Sequence, residues 1–599
     1  MADMTKVQDQ VSTYAEYLPQ PIVQKQIFFL TSGEIRDESV LVQLYDLIKA
    51  HPTYQAYPVH WSVYKPARQA KEWCAHKGIP LVEWEEREYL RLLATSGYLL
   101  SDIKLPAYFM RRPGQLYCDL GFAWKDQSRG KEYRPEYERR MQAWRIMQGL
   151  LQATHILVSS EADIDLLETG YRLGNIYGGR ICKIEKTGAQ AELLRDLILQ
   201  EGFQTDQIEI RELPVKKQRV LIQLEWNKGD LLREWMPLWL EYADYEKYDI
   251  TLVMTKPKDP AELYKLAQLP RQVRVLFRGG HMLYGSTQKP QVKAYVDDFW
   301  LISEEEREKK YPAMQKICAY EWEKIFGGAS FDTVVLTSMH PLWYLGAEKN
   351  CGRKVSICTR EIMKLAASVQ EERARWEHKW AAMKKMDAVF SLGMEGSSFI
   401  TDADLGGLQE LPTPVPMRWL EKDKDMGQLS LVRYQGREYA LLFQGRDWKE
   451  LRGQVGFIPI PPADRKAYVA GGAPSGILPG FKRLREREPD SLLYIFTGDL
   501  EGPGEEIEED LRESVVCIGG TICGDLPGAS GYLQRFWGCL LQEGEERACS
   551  DLPAVLMGLL GKPAYRMEGR DLKEIQIQIQ VDKKELYARG REAVNRIWG

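Results

Sequence analysis

Short, unbroken apolar runs that end in a small or polar turn recur along the chain, each followed by a longer stretch of mixed polarity. Gln26-IFFLTSG, Thr154-HILVSS, Arg219-VLIQL, Asp249-ITLVM, Val273-RVLFRGG and Asp332-TVVLTS come first; Asp387-AVFSLG, Glu438-YALLFQG, Ser491-LLYIFTGD and Val515-VCIGG continue the rhythm. Continuous rather than alternating apolar runs belong to strands covered on both faces, as in parallel sheets. Strands that alternate with helical stretches predict βαβ units. The expected fold is therefore α/β, with three Rossmann-like, doubly wound parallel-sheet units. Ligands of such sheets sit beyond the carboxyl ends of the strands, where the Gly, Ser and Thr turns fall. One long helix is expected over 360–386, where Ile362, Leu365, Val369, Arg373, Trp376, Trp380 and Met383 follow helical spacing.

Breaks in the rhythm suggest boundaries. Arg211–Lys217 (RELPVKK) joins charges and a proline just before a new apolar run, and Thr401–Gly436 is polar with Pro412, Pro414 and Pro416 close together. The expected division is an N-terminal extension at 1–24, a first lobe at 25–212, a second at 218–405 and a third at 430–599.

Composition narrows the class. Of 599 residues, 44% are hydrophobic and 28% charged, which excludes a largely disordered chain. With 81 basic against 86 acidic residues, no bulk nucleic-acid partner is expected. No run approaches the roughly 18 apolar residues of a membrane-spanning helix, and the polar start, Met1 to Val11, has no signal-peptide core, so a cytoplasmic location is expected. The ten cysteines and seven histidines are scattered, so no metal site and no tightly bound cofactor are expected.

Arg87-EYLRLLATSGYLLSDIKLPAYFMRRPGQLY resembles the N-terminal lobe of the CDP-glycerol glycerophosphotransferase family, the teichoic acid polymerases. Ile27-FFLTSGE and Leu151-QATHILVSSEADIDLLETGYRLGNIYGGRI extend the likeness over about residues 25–200. After this segment the family carries "INTWHGTPLKTLG", whose histidine is regarded as catalytic. Here the text is Cys118-DLGFAWKDQSRG: Phe122 stands at the histidine position, and Ala123, Trp124 and Lys125 replace Gly-Thr-Pro. A phenyl ring moves no proton. The family's "GYPRxD" loop falls on Glu185-KTGAQ and finds no match.

From about Gln218 onward the chain is similar instead to glycosyltransferases of the GT-B type, family 4. The carriers are Arg219-VLIQLEWNKGD, Tyr245-EKYDITLVM, Phe331-DTVVLTSMHPLWYL, Asp490-SLLYIFTGD and Tyr532-LQRFWGCLLQEGEERACSDLPAVLMGLLGKPAY. The resemblance implies that the second and third lobes form a GT-B pair. Its usual Gly-Gly turn is replaced by Glu225, Trp226 and Asn227. The nearest basic pair for a nucleotide diphosphate is Arg465 and Lys466. Of the two donor-site glutamates, the second falls on Leu556 or Gly558, while Glu543, Glu545 and Glu546 remain for the first. His340, just beyond an expected strand end, is the candidate for a catalytic base or ligand on the acceptor side.

The resemblance implies transfer of a sugar or glycerol phosphate from a nucleotide-activated donor, a UDP-sugar or CDP-glycerol. The acceptor would be lipid-linked or protein, in bacterial surface-polymer or glycoconjugate synthesis, with peripheral association at the inner face of the membrane. The replaced motifs leave a second reading open: an inactive relative that serves as partner or scaffold for a second, active glycosyltransferase subunit.

Overall fold

The structure is a computed structural model, and it describes residues 2–32, 35, 39–53, 56–64, 68–121, 124, 136–184, 189–199, 208–225, 231–258, 262–263, 266–267, 269–359, 370–392, 408–410, 430–434, 437–441, 457–471, 474–496, 507–518, 532–533, 535–540, 562–568, 571–575 and 583–599. The chain divides into two units, one formed by residues 1–223 and 245–354, the other by 224–244 and 355–599.

The first unit opens with β1 (Val23–Ser32), β2 (Val59–Tyr64), β3 (Leu81–Val82), β4 (Ser96–Ser101), β5 (Leu116–Asp119), β6 (His155–Val158), β7 (Arg180–Ile184) and β8 (Ile208–Glu212). They pair in the order β3-β2-β1-β4-β5-β6-β7-β8, parallel except for β8 at the edge. The apolar runs make this possible. Ile27 to Leu30 and all six residues of β4 are buried, because helices cover both faces. One face buries Leu44, Tyr45 and Ile48 of helix Val40–Ala50 with Leu193, Leu194 and Ile198 of helix Ala189–Leu199.

A second parallel set follows in the same unit: β9 (Gln218–Gln223), β10 (Tyr248–Thr255), β11 (Arg274–Arg278) and β12 (Phe331–Leu336), ordered β11-β10-β9-β12. Both sets share the 3-2-1-4 order of a dinucleotide-binding sheet, whose reversal point lies between the first strand and the fourth.

Side-chain bonds lock the two sets together. Gln152 donates from Nε2 to the carbonyls of Glu323 and Lys324, at 2.8 and 3.1 Å. Arg140 donates to the carbonyls of Ala267, Leu269 and Pro270. Gly327 closes helix Met314–Phe326 with a left-handed φ of 57°, and a Cβ there would lie 2.2 Å from the carbonyl oxygen of Leu151. Left-handed backbone alone costs a side chain about 1–2 kcal/mol. Gly327→Ala is therefore expected to lower the chemical-denaturation stability by at least that amount.

In the second unit, β13 (Cys351–Thr359, from Val355 onward), β14 (Ala388–Leu392) and β15 (Leu408–Glu410) are parallel. Then β19 (Ala467–Gly471), β20 (Leu492–Phe496), β21 (Val515–Ile518), β22 (Gly538–Leu540), β23 (Ala564–Glu568) and β24 (Asp571–Ile575) form a sheet ordered β21-β20-β19-β22-β23-β24. This sheet is again in Rossmann order, with one antiparallel edge. Its core joins Tyr468, Ile477, Phe481, Leu484, Leu493 and Ile495. The C-terminal helix Lys583–Trp598 packs on helix Leu231–Glu241 of the same unit, and Gly590 lies so close to the Tyr242 ring that a Cβ would approach it within 2.6 Å.

The α/β reading holds, with two differences. The run after Glu438 is not a parallel strand: β16 (Ser430–Tyr434), β17 (Arg437–Leu441) and β18 (Phe457–Pro459) form a small antiparallel sheet. Two residues, Gln435 and Gly436, separate β16 from β17, a spacing that permits only a hairpin. The helix expected over 360–386 is present as Gln370–Met383, and 360–369 lie outside the described residues. No helix among the described residues is long and apolar enough to cross a membrane.

Candidate functional site

Within the first unit, the carboxyl ends of β4, β5, β10 and β11 converge on one cavity of about 300 Å3. Lys104 to Ala107 and Phe109 come from the segment after β4, and Tyr117 and Asp119 from β5. Lys256 directly follows β10, Phe277 is the penultimate residue of β11 and Gly279 directly follows it. Helix Glu136–Leu150 contributes Arg145, Ile146 and Gln148, and Trp124 forms a further wall. Carboxyl-end cavities are where open parallel sheets hold ligands.

Asp119 is the last residue of β5 and is 5% exposed. Gly121, at φ 79°, turns the chain so that its N–H donates back to Asp119 Oδ1 at 2.9 Å. The Tyr117 hydroxyl donates to Oδ2 at 3.4 Å. Burial pushes the Asp119 carboxyl up to about 6; these donors oppose the rise, and the nearby Asp102 carboxylate adds to it. Asp102 sits at the reversal point between β1 and β4, accepting from Thr31 Oγ1 at 2.6 Å and Ser32 N–H at 2.9 Å. Burial raises it to about 6 as well. Two carboxyls of raised pKa thus stand at adjacent strand ends, and Asp119 is the one that lines the cavity.

Four cationic side chains reach the same cavity: Lys104, Arg145, Lys256 and Lys324. Partial desolvation at the cavity wall, and then the Arg145 guanidinium, hold Lys104 and Lys256 below the usual lysine range, although Lys104 is exposed and Lys256 only half-buried. Lys324 is a buried structural group: its Nζ lies 2.6 Å from Glu321 Oε1 and donates to the His281 carbonyl at 3.0 Å. The two lining amides are also engaged. Gln148 exchanges bonds with the backbone N–H and carbonyl of Phe277, and Gln152 spans Arg111 N–H, Glu323 and Lys324.

The residues picked from sequence lie elsewhere. His340 caps helix Pro341–Asn350, its Nδ1 accepting from the Leu342 N–H at 3.2 Å. Burial, and then Arg278, push its imidazole down to about 4, so it is neutral at pH 7. It is not among the described residues that line the cavity. Arg465 and Lys466 immediately precede β19, at the amino end of its sheet. Arg465 donates to the Asp490 carbonyl at 2.8 Å, while Lys466 pairs with Glu488 at 2.6 Å and lies over the Trp537 ring. Glu543, Glu545 and Glu546 lie outside the described residues, as do Phe122, Ala123, Lys125, Leu556 and Gly558. The structure brings together Lys104, Asp119, Arg145 and Lys256, which sequence reasoning passed over. A usable signal existed for two of them: Asp119 and Lys256 are charges set at the ends of otherwise apolar strands.

These strand orders and the carboxyl-end cavity define an α/β protein built from Rossmann-order sheets. No protein-family model matches the chain, and no curated protein matches it. Among solved structures it is similar to the wall teichoic acid polymerase TagF, at 11% identity over 62% of this chain and 80% of that one, with a TM-score of 0.22. It is also similar to a glycotransferase of kitacinnamycin, at 12% identity over 64% and 96% with a TM-score of 0.26. A mutant O-GlcNAc transferase of Thermobaculum terrenum matches at 11% over 64% and 62%, with a TM-score of 0.27. At such scores the fold class rests on the strand orders rather than on these likenesses.

Proposed function

We propose that the chain is a GT-B-type transferase that moves a sugar or glycerol phosphate from a nucleotide-activated donor to a hydroxyl acceptor, with the reaction at the first-unit cavity. The observation that carries this reading is Asp119, a buried carboxyl at a strand end facing a cavity built from the carboxyl ends of two Rossmann-order sheets. An acceptor hydroxyl becomes a competent nucleophile as its proton leaves. A carboxylate whose pKa is raised toward neutrality is a better base than an ordinary one, yet is still ionised at pH 7. Asp119 lies three residues before Phe122, the position where the resembling family has its histidine, so a carboxylate would take over the lost imidazole's task. A UDP-sugar or CDP-glycerol as donor, a lipid-linked or protein acceptor, and surface-polymer synthesis at the cytoplasmic membrane face fit this reading.

One observation favours the second reading, a non-catalytic partner of an active glycosyltransferase: Phe122 itself. Thermal unfolding with CDP-glycerol and a panel of UDP-sugars separates the two. A bound donor at 100 times its Kd adds about 2.7 kcal/mol to stability, several degrees in Tm. The transferase reading expects one of these donors to give such a rise. A flat response to all of them, with a second transferase co-purifying, is the result of the partner reading.

A further inference from the structure

Unit 1 engages many of its buried or half-buried cations with carboxylates or backbone carbonyls. Arg274 is 1% exposed and pairs with Asp249 at 3.0 Å; Arg219 pairs with Asp332 at 2.8 Å; Lys324 pairs with Glu321. Arg140, little more than one helical turn before Arg145, is occupied by three carbonyls. Lys104, Arg145 and Lys256 line one cavity instead. They arrive from three separate segments, and no carboxylate among the described residues pairs with any of them. Arg145 is close enough to both lysines for its charge to oppose their protonation. Gathering like charges is unfavourable; Lys104 and Arg145 are exposed and Lys256 is half-buried, so water and the Asp119 carboxylate across the cavity meet part of that cost, and a bound anion would meet the rest. On the wall of a concave, largely apolar cavity, unneutralised cations focus a positive potential on incoming ligands.

The remaining polar groups limit what that ligand can be. The amides of Gln148 and Gln152, which could read the edge of a base, are committed to backbone groups, and Lys324 is committed to Glu321. What is left is charge recognition, with a planar guanidinium suited to two oxygens of one anion.

We propose that Lys104, Arg145 and Lys256 form a clamp for a phosphoryl group, the mono- or diphosphate of an ester whose remainder lies against Phe109, Trp124 and Phe277. This places an anion site in the first unit, on residues other than Arg465 and Lys466. It deepens the reading of the cavity as a ligand site, but it does not require the transfer chemistry.

The test is calorimetric titration of the full chain with inorganic pyrophosphate, then with CDP, at low and at physiological salt. The variants are Arg145→Gln and Lys256→Gln, with Arg68→Gln on an exposed helix as a charge-matched control. Pyrophosphate is expected to bind the parent chain, more weakly as salt rises. Each cavity variant should lose at least tenfold in affinity, and the control should lose none. Because each cavity variant removes a like charge, its Tm should hold or rise, which separates loss of a clamp from loss of the fold. CDP binding no more tightly than pyrophosphate would mark phosphoryl recognition alone; tighter CDP binding that still needs Arg145 would extend the clamp to nucleotides. Absent pyrophosphate binding, or binding indifferent to both variants, overturns the clamp. If pyrophosphate binds and no nucleotide-activated donor is turned over, the clamp stands and the transferase reading falls. If a donor is turned over with KM unchanged in both variants, the transferase reading stands and the clamp falls.

Discussion

Asp119→Asn is expected to reduce turnover of the donor by about 10²–10⁴-fold while leaving pyrophosphate binding within a factor of a few. The asparagine keeps the shape: its Oδ1 can still accept from Gly121 N–H, and its amide Nδ2, at the place of Oδ2, can donate to the Tyr117 hydroxyl, but it takes up no proton. The pH profile carries the sign. A carboxyl at about 6 works as a base only when ionised, so the parent rate should fall as pH drops through 6, and this limb should vanish in the variant. Stability moves the other way. A carboxyl raised by burial favours the fold while it is protonated. That contribution is full below the unfolded carboxyl pKa of about 4 and is lost as pH rises through about 6. At pH 7 the ionised side chain therefore destabilises the protein, on the order of 2–3 kcal/mol for a two-unit shift. Asp119→Asn should show an unchanged or higher Tm together with its loss of rate. Such a pairing marks a residue kept for chemistry at the expense of stability. A variant that loses rate and Tm together would be a packing lesion instead.

The largest stability effect is expected at Arg274. Its guanidinium is 1% exposed and donates to Asp249 Oδ2, Thr251 Oγ1, the Arg172 carbonyl and the Gly174 carbonyl, so it ties the first sheet's β6–β7 connection to β10 and β11. Arg274→Met leaves Asp249, 4% exposed, as an uncompensated buried carboxylate. Breaking a buried pair from one side costs about 3–5 kcal/mol. Urea denaturation should show that loss. Removing both charges, Arg274→Met with Asp249→Leu, should recover a large part of it, because the unpaired charge rather than the missing attraction dominates the penalty.

The sheets were legible for a simple reason. A strand covered on both faces has no solvent side to alternate toward, so it announces itself as a short run of Ile, Leu, Val and Phe. β1, β6, β9, β10, β12 and β20 were read this way. β17 is equally apolar yet antiparallel, because residue content does not distinguish a parallel strand from a hairpin arm; the two-residue Gln435-Gly436 spacing does. The site was less legible because its members lie at 104, 119, 145 and 256. No local spacing links them, and the fold alone brings them to one cavity. Sequence reasoning favoured local motifs instead. Arg465 and Lys466 are adjacent and basic, but they precede a strand, and the approach to a parallel strand is the opposite edge of the sheet from its ligand side. His340 was correctly placed beyond a strand end, yet its imidazole nitrogen is taken by the N–H of a helix that starts there. Such a capping bond cannot be told from an available base by composition alone.

In the proposed reaction the phosphorylated donor lies in the carboxyl-end cavity of the first unit, with Asp119 facing its reacting end. Crystals soaked with CDP-glycerol, or with whichever UDP-sugar raises Tm, test it most directly. Density for the phosphates is expected among Lys104, Arg145 and Lys256, with the transferred group on the Asp119 side. Phosphate density at the carboxyl ends of β19 and β22 in the second unit, with the first-unit cavity free of donor, would contradict it.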